Sequence, residues 1–200
     1  MLNWHQTVRL PEADMNRLDV ATLNLACASG LPGADRIDWK RNVSTLDDWA
    51  DRCKQFTLKM MPHFHRGRCD YPDSEPKFRI QAMITHLQRD IGIQFHPNRK
   101  RDEDVFQPED SFIYGVTQGD GGTCGNLPIV YAAVGRRMGY PLKLVATRWH
   151  GFCRWDEGSR LGERFNIEAS GEGVSFFENE HYRTGHYSMP SEEVRAFGYY

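Results

Sequence analysis

The sequence has no run of about 18 consecutive uncharged apolar residues, so it offers no helix able to span a bilayer. No apolar leader follows Met1 either; Trp4, His5 and Arg9 come instead, and a cytoplasmic, unanchored protein is expected. Charge of one sign is also missing. With 25 basic and 27 acidic residues the formal charge is -2, and a pI near 6.4 gives no global field to gather phosphates or acidic lipid, so neither nucleic acid nor membrane is an expected partner. Five cysteines, Cys27, Cys53, Cys69, Cys124 and Cys153, are odd in number and widely spaced, unlike a disulfide framework, and suit a reducing compartment. Internal repeats and low-complexity tracts are absent. What remains is a polar-surfaced chain, mean hydropathy -0.64, whose 11 Phe, 8 Tyr and 5 Trp can fill a core.

The first third has helical periodicity. Met15, Leu18, Ala21 and Leu25 recur on one face after Pro11, until Gly30 and Pro32 end the pattern. Thr45 and Asp48 have capping-box spacing at the head of a second stripe, Leu46, Trp49, Cys53, Phe56 and Met60, which puts Cys53 in the core. A third helix is expected after Ser74 and Pro76, carrying Ile80, Met83, Ile84, Leu87 and Ile91 and closing at Gly92. The segment from Phe95 to Asp110 is charged and turn-forming. Beyond it, Leu127, Val130, Tyr131, Val134 and Met138 mark a helix, followed by expected strands at Leu142–Thr147, His150–Trp155 and Phe165–Ala169. The expected fold is therefore α+β: an N-terminal helical region over residues 1–75, packed on a core with a C-terminal extension over residues 76–200.

The chemistry falls in the second half. A nucleophilic thiol gains from a helix N-terminus, whose unpaired N–H groups favour the thiolate, and Cys124 is expected to open the helix. Gly119, Gly121, Gly122 and Gly125 let backbone amides crowd around a developing oxyanion. A cysteine at such a position is, taken alone, more often a small buried residue. What strengthens the case is chain order: cysteine, helix, strand, histidine, strand, acid. His150 stands at the entrance to a strand, where its side chain shares a face with Phe152 and Arg154. The next strand offers two acceptors on one face, Asn166 and Glu168, for the second imidazole nitrogen.

The segments GGTCGNLPIVYAAVGRRMGYPLKLV, WHGFCRW and ERFNIEAS together resemble the core of the transglutaminase-like superfamily, which has the papain-like cysteine protease fold. The resemblance covers roughly residues 78–170 and is nearest the bacterial transglutaminase-like branch. It rests residue by residue on Cys124, on Arg137 with Gly139 and Pro141, and on His150. It implies a nucleophile helix packed on a small antiparallel sheet, a thioester acyl-enzyme and a peptide or protein substrate, with no cofactor. The usual aspartate of the triad is replaced: alignment puts Glu168 in its place, and Asn166, the residue type papain-like relatives use, is its rival. A glutamine six residues before the nucleophile is similar to the papain pattern, which makes Gln118 the oxyanion candidate, with the Cys124 amide as second donor. Hydrolysis or acyl transfer at amide bonds is the expected function, and the alternative is a catalytically silent interaction module of the same fold.

Three other features have two readings each. Trp149 and Trp155 either line a substrate groove beside His150 or pack against the sheet. His63, His65, Cys69 and Asp70 have ligand chemistry, but no second Cys/His pair completes a closed zinc site, and no metal is expected. Arg99, Lys100 and Arg101 are answered at once by Asp102, Glu103 and Asp104, as in a solvated loop.

Overall fold

Almost every position of one helix is buried, and the rest of the architecture follows from covering it. In α7 (Leu127–Arg137) the buried residues are Leu127, Pro128, Val130–Val134 and Gly135, so apolar surface faces all directions and must be covered on all sides. The computed structural model describes residues 4–15, 17–96, 107–119, 121–147 and 150–183. Helices α3 (Val20–Ala28) and α4 (Trp39–His65) pack against α7, and so do strands β1 (Leu142–Ala146) and β2 (Gly151–Asp156). The chain is thus α+β, with helices over a three-stranded antiparallel sheet of order β1-β2-β3, where β3 is Arg164–Ile167. One apolar cluster runs from Val20 and Leu46 through Val130 to Cys153 and Ala169, and so draws on both the N-terminal and the C-terminal region.

Helix α7 can approach β1 because Gly135 has no Cβ; a methyl there would stand 2.3 Å from a Leu142 methyl. Its C-terminal end is clamped by Arg137, which donates from Nε to Asp47 (2.7 Å) and from both Nη atoms to Asp19 (2.9 and 3.1 Å). Cations at a helix C-terminus also complement its dipole.

The expected first helix is two, α2 (Glu12–Met15) and α3, preceded by α1 (Trp4–Thr7). Asp19 ends the continuity by taking an extended conformation and capping α3, accepting the Thr22 N–H. The second helix starts at Trp39, six residues ahead of Thr45, because Asp38 caps it by accepting the Arg41 N–H. Its buried stripe is Asn42, Leu46, Ala50, Cys53, Thr57 and Met61; of the expected stripe Leu46 and Cys53 are buried, while Trp49, Phe56 and Met60 are half-buried. The third, α5 (Glu75–Thr85), begins as expected from Ser74, which accepts the Lys77 N–H. It then widens into a π turn over His86–Ile91, and Gly92 closes it at φ +88°, a left-handed conformation that glycine adopts without strain. Of the charged connection, residues 97–106 lie outside the described residues, including Arg99–Asp104.

Sheet register gives β2 two unlike faces. Cys153 and Trp155 join Leu142 and Ile167 on the α7 side. Phe152, with Val145, faces the other way, where Tyr182 of α8 (Asn179–Arg183) covers them.

Candidate active site

Cys124 is held in a turn, three residues ahead of the helix it was expected to open. Residues 124–126 form this turn, and α7 starts at Leu127 with Pro128 in its first turn, where a missing N–H costs nothing. The buried side chain of Asn126 organises the turn. Its Oδ1 accepts the Thr123 N–H (2.7 Å), while Nδ2 donates to the carbonyls of Glu109 (2.7 Å) and Phe112 (3.3 Å). Thr123 Oγ1 adds a bond to the Asp110 carbonyl (2.5 Å) and accepts the Gly125 N–H (3.0 Å). Among the described residues the Cys124 N–H enters no backbone hydrogen bond, which leaves it available to an oxyanion.

His150 precedes β2 by one residue, buried to 8 % exposure, and its carbonyl accepts the Thr147 N–H (2.8 Å). Its Nε2 lies 2.5 Å from Glu168 Oε2, and the Cys124 thiol is among the groups that raise the proton affinity of the imidazole. With Nε2 occupied by the carboxylate, Nδ1 is the nitrogen left for the thiol. The approach depends on Gly151: a Cβ there would sit 3.0 Å from the Cys124 carbonyl oxygen. Burial acts to lower the imidazole pKa, but the Cys124 thiol, the Glu168 hydrogen bond and the Glu168 charge override it and lift His150 to about 9. For Glu168, burial pushes the carboxyl up, while the His150 hydrogen bond and charge, with the Ser170 N–H, hold it below its ordinary value.

Glu168 is fixed by more than its carboxylate. Its backbone pairs with Ser175 in both directions (2.9 and 2.8 Å). The following loop is gathered by Gln88 of the π turn, which donates to the carbonyls of Ala169, Gly171 and Gly173 and accepts the Gly173 N–H. Opposite, the Tyr182 ring stacks on Phe152 at 3.9 Å between centroids and lies 6.2 Å from the His150 ring, nearly parallel to it. Gln88, Asn126 and Tyr182 are supports that periodicity and chain order did not single out. A π turn, where present, often marks a functional region, but it has no sequence signature of its own.

Cys124, His150 and Glu168 therefore come together, and the other candidates do not join them. Asn166 is buried elsewhere: Oδ1 accepts from Arg154 Nε (2.7 Å), and Nδ2 donates to the Phe177 carbonyl (3.0 Å) and Asn179 Oδ1 (2.8 Å). Gln118, the C-cap of the short helix α6 (Tyr114–Thr117), accepts a hydrogen bond from Asn42 Nδ2 (3.2 Å), and no hydrogen bond among the described residues joins it to Cys124 or His150. It lines a cavity of about 470 Å³ with Arg36, His96 and Tyr114, and the described lining includes neither Cys124 nor His150. Trp155 is on the wrong face of β2 for a groove beside His150; it packs between Tyr140 and Phe165 and donates from Nε1 to Glu157. Trp149 lies outside the described residues.

Among the described residues no group of three or more His, Cys, Asp or Glu is placed to hold a metal ion; Asp70, for one, accepts a hydrogen bond from Gln81. No described helix is long and apolar enough to cross a membrane. Set against family models, curated proteins and solved structures, the chain matches none.

Proposed function

We propose that the protein is a cysteine hydrolase or acyltransferase of the transglutaminase-like kind, with a papain-like core, acting on peptide or glutamine side-chain amide bonds. The observation that carries this reading is the meeting of Cys124, His150 and Glu168, with Glu168 Oε2 2.5 Å from His150 Nε2 and the Cys124 thiol acting on the same imidazole. An imidazolium beside a thiol favours the thiolate, and Glu168 stabilises that imidazolium and holds its ring. The thiolate attacks the amide carbonyl carbon, and the Cys124 N–H and neighbouring amide N–H groups donate hydrogen bonds to the oxygen on which charge builds. His150 then gives its proton to the departing nitrogen as the C–N bond breaks, leaving a thioester. Water or a second amine, deprotonated by His150, attacks the thioester and restores the thiol. Five free cysteines, with Cys53 and Cys153 buried and pushed up to about 12 by that burial, suit a reducing cytoplasm.

Two cysteines serve as internal references, because Cys27 is exposed and Cys69 partly so. Iodoacetamide labelling at about pH 6.5, followed by site-resolved mass spectrometry, should modify Cys124 about tenfold faster than either reference, and His150→Ala should abolish the advantage. Equal rates in the wild type would overturn the reading. Ammonia release from glutamine peptides, with and without an added primary amine, then separates hydrolysis from transfer.

A further inference from the structure

Both oxygens of Glu168 are engaged. Oε2 lies 2.5 Å from His150 Nε2, and Oε1 accepts the Ser170 N–H (3.0 Å). That N–H shares a peptide unit with the Ala169 carbonyl, and the unit is planar, so whatever holds the carbonyl also aims the N–H. Two side chains hold it: the Tyr131 hydroxyl of α7 donates to the Ala169 oxygen (3.1 Å), and Gln88 Nε2 donates to the same oxygen (3.3 Å). Tyr131 is 2 % exposed, so its hydroxyl cannot trade this partner for bulk water. Gln88 extends the grip along the loop, donating to the Gly171 (3.0 Å) and Gly173 (3.3 Å) carbonyls and accepting the Gly173 N–H (2.7 Å). Donors on a carbonyl polarise its peptide unit and strengthen the N–H at the other end, here one that bonds a carboxylate.

We propose that Gln88 and Tyr131 are positioning residues of the candidate triad, acting through the Ala169–Ser170 peptide unit to hold the Glu168 carboxylate against His150 and so keep the imidazole charged and turned to Cys124. The inference rests on the reading of Cys124, His150 and Glu168 as a catalytic triad. The imidazole meets Cys124 from the turn at 124–126, Glu168 from the end of β3 and the Tyr182 ring from α8. Of these three, Glu168 supplies the negative charge that stabilises an imidazolium. Without the Ser170 N–H its carboxylate is free to rotate and divides its time between His150 and water, while its backbone stays paired with Ser175. Tyr131 and Cys153, which also lie near Glu168, are pushed up by burial, Cys153 to about 12, and stay neutral below about pH 10.

The test is an NMR titration of the His150 ring in the full chain from about pH 5 to 10, run beside Cys124 labelling of the wild type at about pH 6.5. Tyr131→Phe deletes one hydroxyl and keeps the ring, Gln88→Met keeps the length and loses the amide, and the two are also combined; circular dichroism checks each fold. Ile80→Val, which trims the buried face of α5, is the control for lost stability alone. His150 should titrate near 9 in the wild type and in Ile80→Val. It should fall by about half a unit in either single variant and by about one unit in the combined one, part of what an opposite charge at contact supplies. The single variants decide the matter if the combined one does not fold. A wild type whose Cys124 labels no faster than Cys27 would overturn the triad reading and this inference with it. If Cys124 does lead, variants that titrate as the wild type does, or an Ile80→Val protein that shifts as far as they do, would overturn the inference alone.

Discussion

Replacing His150 by glutamine should introduce a pH dependence into the stability gap between the two proteins. Its imidazole rises from 6.5 to about 9 on folding, which means that the folded protein holds that proton more tightly than the unfolded chain. The stability gained is therefore complete below about pH 6.5 and is lost as pH climbs through about 9. At about 1.36 kcal/mol per pH unit, the rise corresponds to about 3 kcal/mol. The side chain is only 5 % exposed, so solvent screening removes little of this. Glu168 works in the opposite sense: its lowered pKa adds stability above the unfolded value of 4.5 that disappears as pH falls below it. The gap between wild type and His150→Gln should thus be widest between about pH 5 and 6.5 and should shrink by about 3 kcal/mol by about pH 10. Urea unfolding of both proteins across that range measures it. A gap that stays flat, or widens in alkali, would mean that His150 is neutral in the native state and would refute the reasoning.

Gly151→Ala should separate the strand bearing His150 from the nucleophile turn, since the new methyl meets a backbone oxygen at 3.0 Å; Cys124 labelling should lose its lead while melting falls only modestly. Asn166→Ala should do the reverse, destabilising by about 1–3 kcal/mol because buried Arg154 loses a carboxamide oxygen, while Cys124 keeps its labelling lead. Tyr182→Leu removes the ring stacked on Phe152, and it should cost about 1–3 kcal/mol in urea unfolding and broaden the His150 ring signals in NMR.

The order of elements in the second half was legible because local rules decide it: Pro128 in a first turn, a cap at Ser74, and strands whose ends shift by no more than two residues. Strand parity alone joins His150 to Phe152 and Arg154 and sends Trp155 to the opposite face, so the groove reading for Trp155 ran against the alternation already in hand. Parity could not separate Asn166 from Glu168, which share a face. That distinction comes from depth in the sheet, where Asn166 lies opposite Arg154, while Glu168 is just past the end of β3, next to His150. Gln88 was invisible as a support because its partners lie more than 80 residues along the chain, and no local pattern encodes such a contact. The start of α4 was missed for another reason: Asp38 and Thr45 are both good caps, and the earlier one prevails when the helix can continue inward from it.

The two unlike faces of β2 also determine where the chain can accept extra residues. Insertion of a single residue within 151–156 would exchange the faces, sending Arg154 towards α7 and Trp155 towards α8, so this stretch should tolerate no length change. The neighbouring hairpin tip is under no such constraint. It closes on itself, with the Gly162 N–H bonded to the Ser159 carbonyl and the Glu163 N–H to Glu157, and Leu161 stands 98 % exposed. An affinity tag or a fluorophore inserted at Leu161 would ride on the strand pair that carries His150 and Glu168 without entering either face of the sheet.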